Sequence, residues 1–327
     1  MDKELNLGIM GCGHVAYNFL YDCTKKLPVK LKAICDMDKD NLRLFSERYN
    51  VSKIYSDYKV MLESEELDGV ISFPQEDSQY EVARSCMLSG VNVFSERPVC
   101  FNLEQAKDLL EVQRKTGKYI TMRLNRRFTP SYVMAKEIIH REEFGRISMY
   151  LAKYQASEYS DERTFIYYHV IHHLDLARFL LGEFKRMHVE VIRVSEKKVG
   201  FNISFVTKTD AIGIIQSGSL QSGTYPLERV EITGDRRSVI VDNIRKLEYN
   251  RPGTKKDSFC VPKLEEGSDT LVWNLNNAQL SNYSYYGFEN ELYDFADSII
   301  KGKVPQLNME DAIHTLALVE QLINLSK

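Results

Sequence analysis

The chain lacks an excess of either charge, with 43 lysines and arginines against 46 aspartates and glutamates and a net charge of −3. No basic field is available to grip nucleic acid or an anionic membrane surface, and neither is expected as a partner. Nor does it hold any run near the ~18 apolar residues that a membrane-spanning helix requires. Its six cysteines (Cys12, Cys23, Cys35, Cys86, Cys100 and Cys260) lack C-x-x-C spacing, which argues against a structural zinc site or a disulfide framework. A basic leader is missing too. Met1-Asp2-Lys3-Glu4 carries two acids and runs straight into a short apolar strand, so a cytoplasmic location is expected. Internal repeats and low-complexity segments are absent.

What remains is an ordinary globular balance, 43% hydrophobic and 27% charged, which excludes a disordered or collagen-like chain. A length of 327 residues suits two domains, each with its own core. Over residues 1–122 short apolar runs alternate with helix-period stretches. Strands are expected at Leu5 to Gly11, Val29 to Asp36, Gly69 to Phe73, Val91 to Ser95 and Tyr119 to Leu124. Helices are expected at His14 to Lys26, Asp38 to Tyr49, Gln79 to Ser89 and Leu103 to Thr116. Right-handed crossovers between parallel strands follow, so the fold class is α/β with a doubly wound sheet.

Over residues 123–327 the rhythm changes. Helices near Pro130 to His140 and Tyr168 to Leu181 are interleaved with β-branched strands at Arg146 to Ala156, Val189 to Val194, Gly200 to Lys208, Ala211 to Leu220, Arg229 to Thr233 and Ser238 to Asp242. Hairpin-length spacing predicts a large, mainly antiparallel sheet in a second, α+β domain. Residues 250–282 read as a loop-rich excursion, and two helices, Phe288 to Lys301 and Met309 to Leu325, close the chain.

Gly11-Cys12-Gly13-His14-Val15-Ala16 follows the first strand and opens the first helix, matching G-x-G-x-x-A. Gly11 permits a tight turn, Gly13 lets the backbone approach a diphosphate, and the helix amides attract the phosphates. Asp36 ends the second strand 23 residues after Gly13, near the spacing at which an acid binds the adenosine ribose hydroxyls. A carboxylate there repels a 2′-phosphate, so NAD is favoured over NADP. The alternative is a glycine turn with no ligand and an Asp36 that caps the next helix, as Asp38 could.

At this point the chain resembles the Gfo/Idh/MocA family of sugar and cyclitol oxidoreductases. The resemblance rests on the glycine loop, on Phe94-Ser95-Glu96-Arg97-Pro98 where the family has E-K-P, and on Leu124-Asn125-Arg126-Arg127-Phe128 like its N-R-R-F stretch. It extends to His172-His173-Leu174-Asp175-Leu176-Ala177-Arg178-Phe179-Leu180, to Glu228-Arg229-Val230-Glu231-Ile232-Thr233-Gly234 and to Gly287-Phe288-Glu289-Asn290-Glu291-Leu292. It implies a Rossmann domain (1–122) that binds NAD(P), followed by an open-faced α+β domain (123–327) that binds substrate and builds a homodimer or homotetramer. Residues Gly11, Cys12, Gly13, His14, Val15, Asp36, Phe73, Pro74, Glu96 and Arg97 fall at the family's cofactor positions.

Family members pass a hydride from a secondary alcohol to the nicotinamide, with a lysine and an aspartate-histidine pair at the hydroxyl. Here Arg97 replaces the lysine, Tyr168 the aspartate, and Ser78 the histidine of a T-P-x-x-x-H run that reads Phe73-Pro74; His172 remains. A guanidinium stays charged and is a poor base, though its planar donors hold a hydroxyl or carboxylate well. Imidazole, with an ordinary pKa of about 6.5, is the better proton acceptor, and Tyr168 lies four residues before His172. His172, Arg97 and Tyr168 are the candidate catalytic residues, joined by Asn125, Arg126 and His169 as substrate contacts. Asn125 and Arg126 are equally open to a hinge or interdomain role, and Asp175 to orienting His172 or pairing with Arg178. His169, His172 and His173 lack a further ligand, so no metal is expected. Two functions fit: a dehydrogenase of a sugar, sugar derivative or cyclitol, or a dinucleotide-binding sensor that has lost catalysis along with its lysine and aspartate.

Overall fold

A computed structural model describes residues 4–14, 16–17, 21–221, 226–252, 270–274 and 282–327. Val15, Cys260 and much of the loop-rich stretch lie outside them. The chain divides into two compact units, Met1–Asn125 with Phe288–Glu320, and Arg126–Gly287 with Gln321–Lys327. The first crossing therefore falls at 125/126 rather than 122/123, and residues 288–320, expected in the second domain, belong to the first.

The first unit is built on β1 (Leu5–Met10), β2 (Val29–Cys35), β3 (Ile54–Tyr55), β4 (Gly69–Ser72), β5 (Asn92–Ser95) and β6 (Ile120–Met122), all parallel, in the order β3-β2-β1-β4-β5-β6. Helices α1 (Tyr21–Thr24), α2 (Lys39–Tyr49), α3 (Tyr58–Ser64), α4 (Gln79–Leu88) and α5 (Leu103–Thr116) supply the crossovers. Burial is nearly continuous along β1, β4, β5 and β6 instead of alternating, as a sheet covered on both faces demands. The sequence gives no warning of β3 and α3, because a two-residue strand has no period to read.

The second unit begins with α6 (Pro130–Ile139) and β7 (Met149–Gln155). A continuous helix follows, made of α7 (Glu162–Phe165), a π-helical segment at Ile166–Val170 and α8 (Ile171–Leu181). Strands β8 (Phe184–Ser195), β9 (Lys198–Thr207), β10 (Ile212–Gly218), β11 (Leu227–Thr233), β12 (Ser238–Asp242), β13 (Lys246–Asn250) and β14 (Thr270–Asn274) complete a sheet ordered β14-β13-β12-β11-β7-β10-β9-β8. Only β7 and β10 pair in parallel; the other neighbours are antiparallel. Alternation along β7, β10 and β11 buries one face and leaves the other exposed, with α8 packed on β7 and α6 on the neighbouring β12 and β13. Strands β13 and β14 are additions to the expected set.

Helices α9 (Asn282–Tyr285), α10 (Phe288–Lys301) and α11 (Met309–Leu325) end the chain. Leu292, Phe295 and Ala296 give α10 an apolar stripe with helical spacing, and Phe295 meets Phe94 of β5 edge-on at 5.8 Å. Glu291 Oε1 accepts the Leu124 N–H at 2.6 Å. These contacts explain why the helix belongs to the first unit. Among the described residues no helix is long and apolar enough to cross a membrane.

Candidate active site

In the first unit the strand order reverses between β1 and β4, and the carboxyl ends of the strands open a crevice there. The ladder runs on past the strand ends: Gly11 N–H donates to the Cys35 carbonyl (2.8 Å), Phe73 N–H to Met10 (2.6 Å), Glu96 N–H to Ser72 (3.1 Å) and Arg123 N–H to Ser95 (2.8 Å). Residues from four sequence-distant loops thus line one edge. Gly11 sits at φ +88°, and a Cβ there would lie 2.1 Å from the Phe73 carbonyl oxygen, so no other residue fits. Gly13 differs. A Cβ added there meets nothing within 4 Å among the described residues, leaving an open cradle in front of the next helix, which His14 begins with an exposed side chain.

Asp36 faces that cradle. Its Oδ2 accepts the Cys12 N–H at 2.6 Å and its Oδ1 accepts the Asp38 N–H at 2.8 Å. Each oxygen keeps a lone pair for a further donor, which is what two ribose hydroxyls offer. The capping alternative goes to Asp38, whose side chain accepts the Asp40 and Asn41 amides and starts α2. Cys12 presents its backbone, not its thiol, since burial foremost, with the nearby Asp36 charge, pushes that thiol far above its ordinary range. The turn geometry and the free carboxylate lone pairs fit a dinucleotide.

After β5, Glu96 is held from two sides. Arg97 pairs with its Oε1 through the guanidinium and donates its own N–H to the same oxygen at 3.0 Å. Arg123, directly after β6, reaches both carboxylate oxygens with Nε at 3.1 and 3.0 Å and adds a terminal contact at 2.8 Å. The Arg123 guanidinium also lies 5.0 Å from the Phe288 ring centroid. Arg97 is therefore a clamped cation, held by its chain neighbour. Pro74, half-buried, follows Phe73 along the same edge.

In the second unit the helix at 162–181 is started by Asp161, which accepts the Thr164 N–H at 2.8 Å. Its π-helical turn carries Tyr168 and His169, so the α-helical spacing expected between Tyr168 and His172 does not hold there. Tyr168 stacks on Tyr159 with centroids 6.3 Å apart, and His169 Nδ1 lies 2.6 Å from the Tyr154 hydroxyl. His172 is buried, at 3% exposure. Asp175 takes up Arg127, whose Nε donates to Oδ2 at 2.9 Å, and lies 4.0 Å from Arg178. Pairing with Arg178 was anticipated; the stronger Arg127 contact was not.

Asn125 ends the first unit and is buried, whereas Arg126 opens the second and forms an ion pair inside it. Arg126 Nε donates to Glu228 Oε2 at 2.8 Å, and the Tyr132 hydroxyl donates to Oε1 at 2.6 Å. Burial pushes the Glu228 carboxyl upward, but Arg126, His173 and Tyr132 bring it below the ordinary carboxylate value. His173 Nε2 stands 3.9 Å from Glu228, and neither of its ring nitrogens has a hydrogen-bond partner among the described residues. Burial, opposed by Glu228 and reinforced by Arg126, lowers the His173 pKa to about 4. Reading motifs alone missed Glu228, Tyr132, His173 and Arg123. Glu228 and His173 lie inside recognised stretches, and their polar character amid apolar neighbours was the available signal. No group of three or more His, Cys, Asp or Glu side chains among the described residues is arranged to hold a metal ion.

The model of the oxidoreductase family with an NAD-binding Rossmann fold, GFO_IDH_MocA, matches residues 5–124, and that of the GFO/IDH/MocA C-terminal domain matches residues 132–240. D-apiose dehydrogenase of Paraburkholderia graminis is 24% identical across 97% of this chain and 86% of its own length. Myo-inositol 2-dehydrogenase of Thermotoga maritima is 23% identical across 96% of this chain and 94% of its own. The crystal structure of a dehydrogenase from Chromobacterium violaceum superposes with a TM-score of 0.89 at 20% identity, covering 99% of this chain and 96% of that one. With both domain models matched in order along a parallel sheet whose carboxyl edge carries a glycine turn and Asp36, the chain belongs to the Gfo/Idh/MocA family of NAD-binding oxidoreductases.

Proposed function

We propose that the protein interconverts a secondary alcohol and a ketone on a sugar, sugar derivative or cyclitol, using NAD, in the cytoplasm. The observation that carries this reading is full-length similarity to dehydrogenases of D-apiose and myo-inositol, together with a glycine turn and Asp36 arranged for a dinucleotide. When bound, the nicotinamide supplies the hydride acceptor. The chain's own residues do the rest. The loop at 11–15 holds the diphosphate, Asp36 binds the adenosine ribose and repels a 2′-phosphate, and Phe73, Pro74 and Glu96 border the reactive ring. Arg97 steadies the substrate oxygen, His172 accepts the hydroxyl proton as the carbinol carbon gives up its hydride, and Asn125, Arg126, Tyr168 and His169 complete the substrate contacts.

The free thiols of Cys12, Cys35, Cys86 and Cys100 accord with a reducing compartment. A homodimer or homotetramer through the open face of the second sheet is supported by its exposed Met149, Leu151, Ile212 and Ile214. The second reading, a catalytically silent sensor, is favoured by one observation, the engagement of Arg97 by Glu96.

Purified protein with NAD and a panel of pentoses, hexoses and inositols decides between them. The nicotinamide absorbance should change with at least one polyol, and His172→Ala should abolish the change while NAD still binds. Silence across the panel with NAD bound would hand the assignment to the sensor. Asp36→Ala should weaken NAD about ten-fold or more, the value of one or two lost charge-assisted hydrogen bonds, and NADP less. Equal losses measured by calorimetry would remove the ribose role.

A further inference from the structure

We propose that Arg123 is a positioning residue for the reaction: it anchors the Glu96 carboxylate by both oxygens and so fixes where the Arg97 guanidinium stands. This rests on the reading of the protein as a polyol oxidoreductase in which Arg97 steadies the substrate oxygen, and it names the group behind that contact.

The division of the carboxylate comes first. Oε2 is taken by Arg123, from Nε at 3.0 Å and from a terminal nitrogen at 2.8 Å. Arg97 comes to Oε1, with its guanidinium and with its own N–H at 3.0 Å, and the Arg123 Nε–H leans on the same oxygen at 3.1 Å. Two nitrogens from each arginine thus meet the roughly four acceptor positions of one carboxylate, which is saturated. Glu96 is therefore a fixed charge and not a proton acceptor for a ligand.

The geometry makes the two arginines competitors for it. A guanidinium and a carboxylate pair best as a fork, two parallel N–H groups on two oxygens. Arg97 is the chain neighbour of Glu96, and without Arg123 the carboxylate is able to turn both oxygens onto it and draw it in. Arg123 blocks that turn by holding Oε2. Glu96 and Arg123 are each 8% exposed, so a carboxylate that loses one cation there must be met more fully by the other.

The second observation is how the anchor is itself held. Arg123 directly follows β6, and its N–H donates to the carbonyl of Ser95, the residue before Glu96, at 2.8 Å. The next amide, that of Leu124, is accepted by Glu291 at 2.6 Å, and the Arg123 guanidinium lies 5.0 Å from the Phe288 ring centroid. Backbone and side chain are thus restrained from β5 on one side and α10 on the other. A lysine at 123 brings the same charge without the planar fork and cannot span both oxygens in this way.

Arg123→Lys and Arg123→Met are the test, each crystallised with NAD and assayed with a polyol that the unaltered protein oxidises. In both structures the Glu96 carboxylate should be turned with its two oxygens on Arg97, and the guanidinium displaced with it. Turnover number should fall about ten-fold or more, the scale expected for a misplaced contact at the reacting group. In a Glu96→Gln background, Arg123→Lys should cost less than about two-fold, because the carboxylate through which it acts is gone; a merely structural role gives losses that multiply. Arg123→Lys keeps the buried charge and carries the test if Arg123→Met does not fold. The proposal is overturned if Arg97 stands unmoved in the Arg123→Lys structure, or if the two losses multiply. Its fate is separable from that of the parent reading: a polyol oxidised equally well by Arg123→Lys refutes the anchor alone. If no compound is oxidised the oxidoreductase falls, and the structures decide, a turned carboxylate upholding the anchor and an unmoved one removing it.

Discussion

Gly11 and Gly13 stand two residues apart in one motif yet do different work. At Gly11 the positive φ and the 2.1 Å approach of the Phe73 carbonyl leave no room for a methyl group. Gly11→Ala should lower folding stability by more than about 3 kcal/mol, read from a urea midpoint. At Gly13 the backbone is ordinary and the space is open. Gly13→Ala should leave the midpoint in place and weaken NAD about ten-fold, since the methyl group takes the space into which a diphosphate fits. A reversed pattern would mean that the cradle faces elsewhere. His173 yields a pH dependence. Its folded value of about 4 lies below the ordinary 6.5, so between those values the unfolded chain binds more protons. Stability should therefore fall as pH drops from 6.5 toward 4, by roughly 3 kcal/mol from this group. His173→Gln, neutral throughout, should flatten that part of the curve; an unchanged slope would assign the loss to other groups. The glycines and Asp36 were legible because their chemistry is local. The partnership of His173, Arg126 and Glu228 was not, because its members lie far apart in the chain, with Glu228 102 residues after Arg126 and His173 between them.

At the level of elements, strands with a clean period were readable and short or aperiodic ones were not. The alternation in β7, β10 and β11 announces a half-covered sheet, while β3 has two residues and β14 lies within a polar stretch. The helix at 162–181 shows a third limit. Its start at Asp161 is an ordinary acidic cap, but the π-helical turn behind it shifts the side-chain phase, so extrapolating a 3.6-residue period back from His172 misplaces Tyr168 and begins the helix too late. Asp161→Ala removes the hydrogen bonds to the Thr164 amide and hydroxyl and should cost about 1 kcal/mol. The loss is measured by chemical denaturation and should be matched by faster amide exchange at 162–165; unchanged exchange there would show that the helix is anchored by packing alone.

For the molecule as a whole, the open face of the second sheet is the feature with the largest reach. Leu151 and Ile214 occupy neighbouring central strands at matched positions, both exposed. Replacing both with lysine puts two charges in the middle of an apolar patch, and the mass from light scattering should drop to that of one chain with little change in melting temperature. A mass unaffected by the change would remove this face as an assembly surface. Fold class and domain count were legible because they depend on the sum of many weak patterns. The true partition of the chain was not, since nothing in α10 itself tells which sheet its Leu292 and Phe295 will cover.

That partition makes residues 126–287 of the second unit an insertion within the first, in topological terms, entered after Asn125 and left at Phe288, while residues 321–327 return to the second unit at the end of the chain. An N-terminal fragment cut at residue 125 would leave Phe94 without Phe295 and the Leu124 amide without Glu291. Anyone wishing to transplant the nucleotide-binding half must splice 288–320 back onto it, and a sequence search that trims chains at a single cut point would discard the helix that seals it.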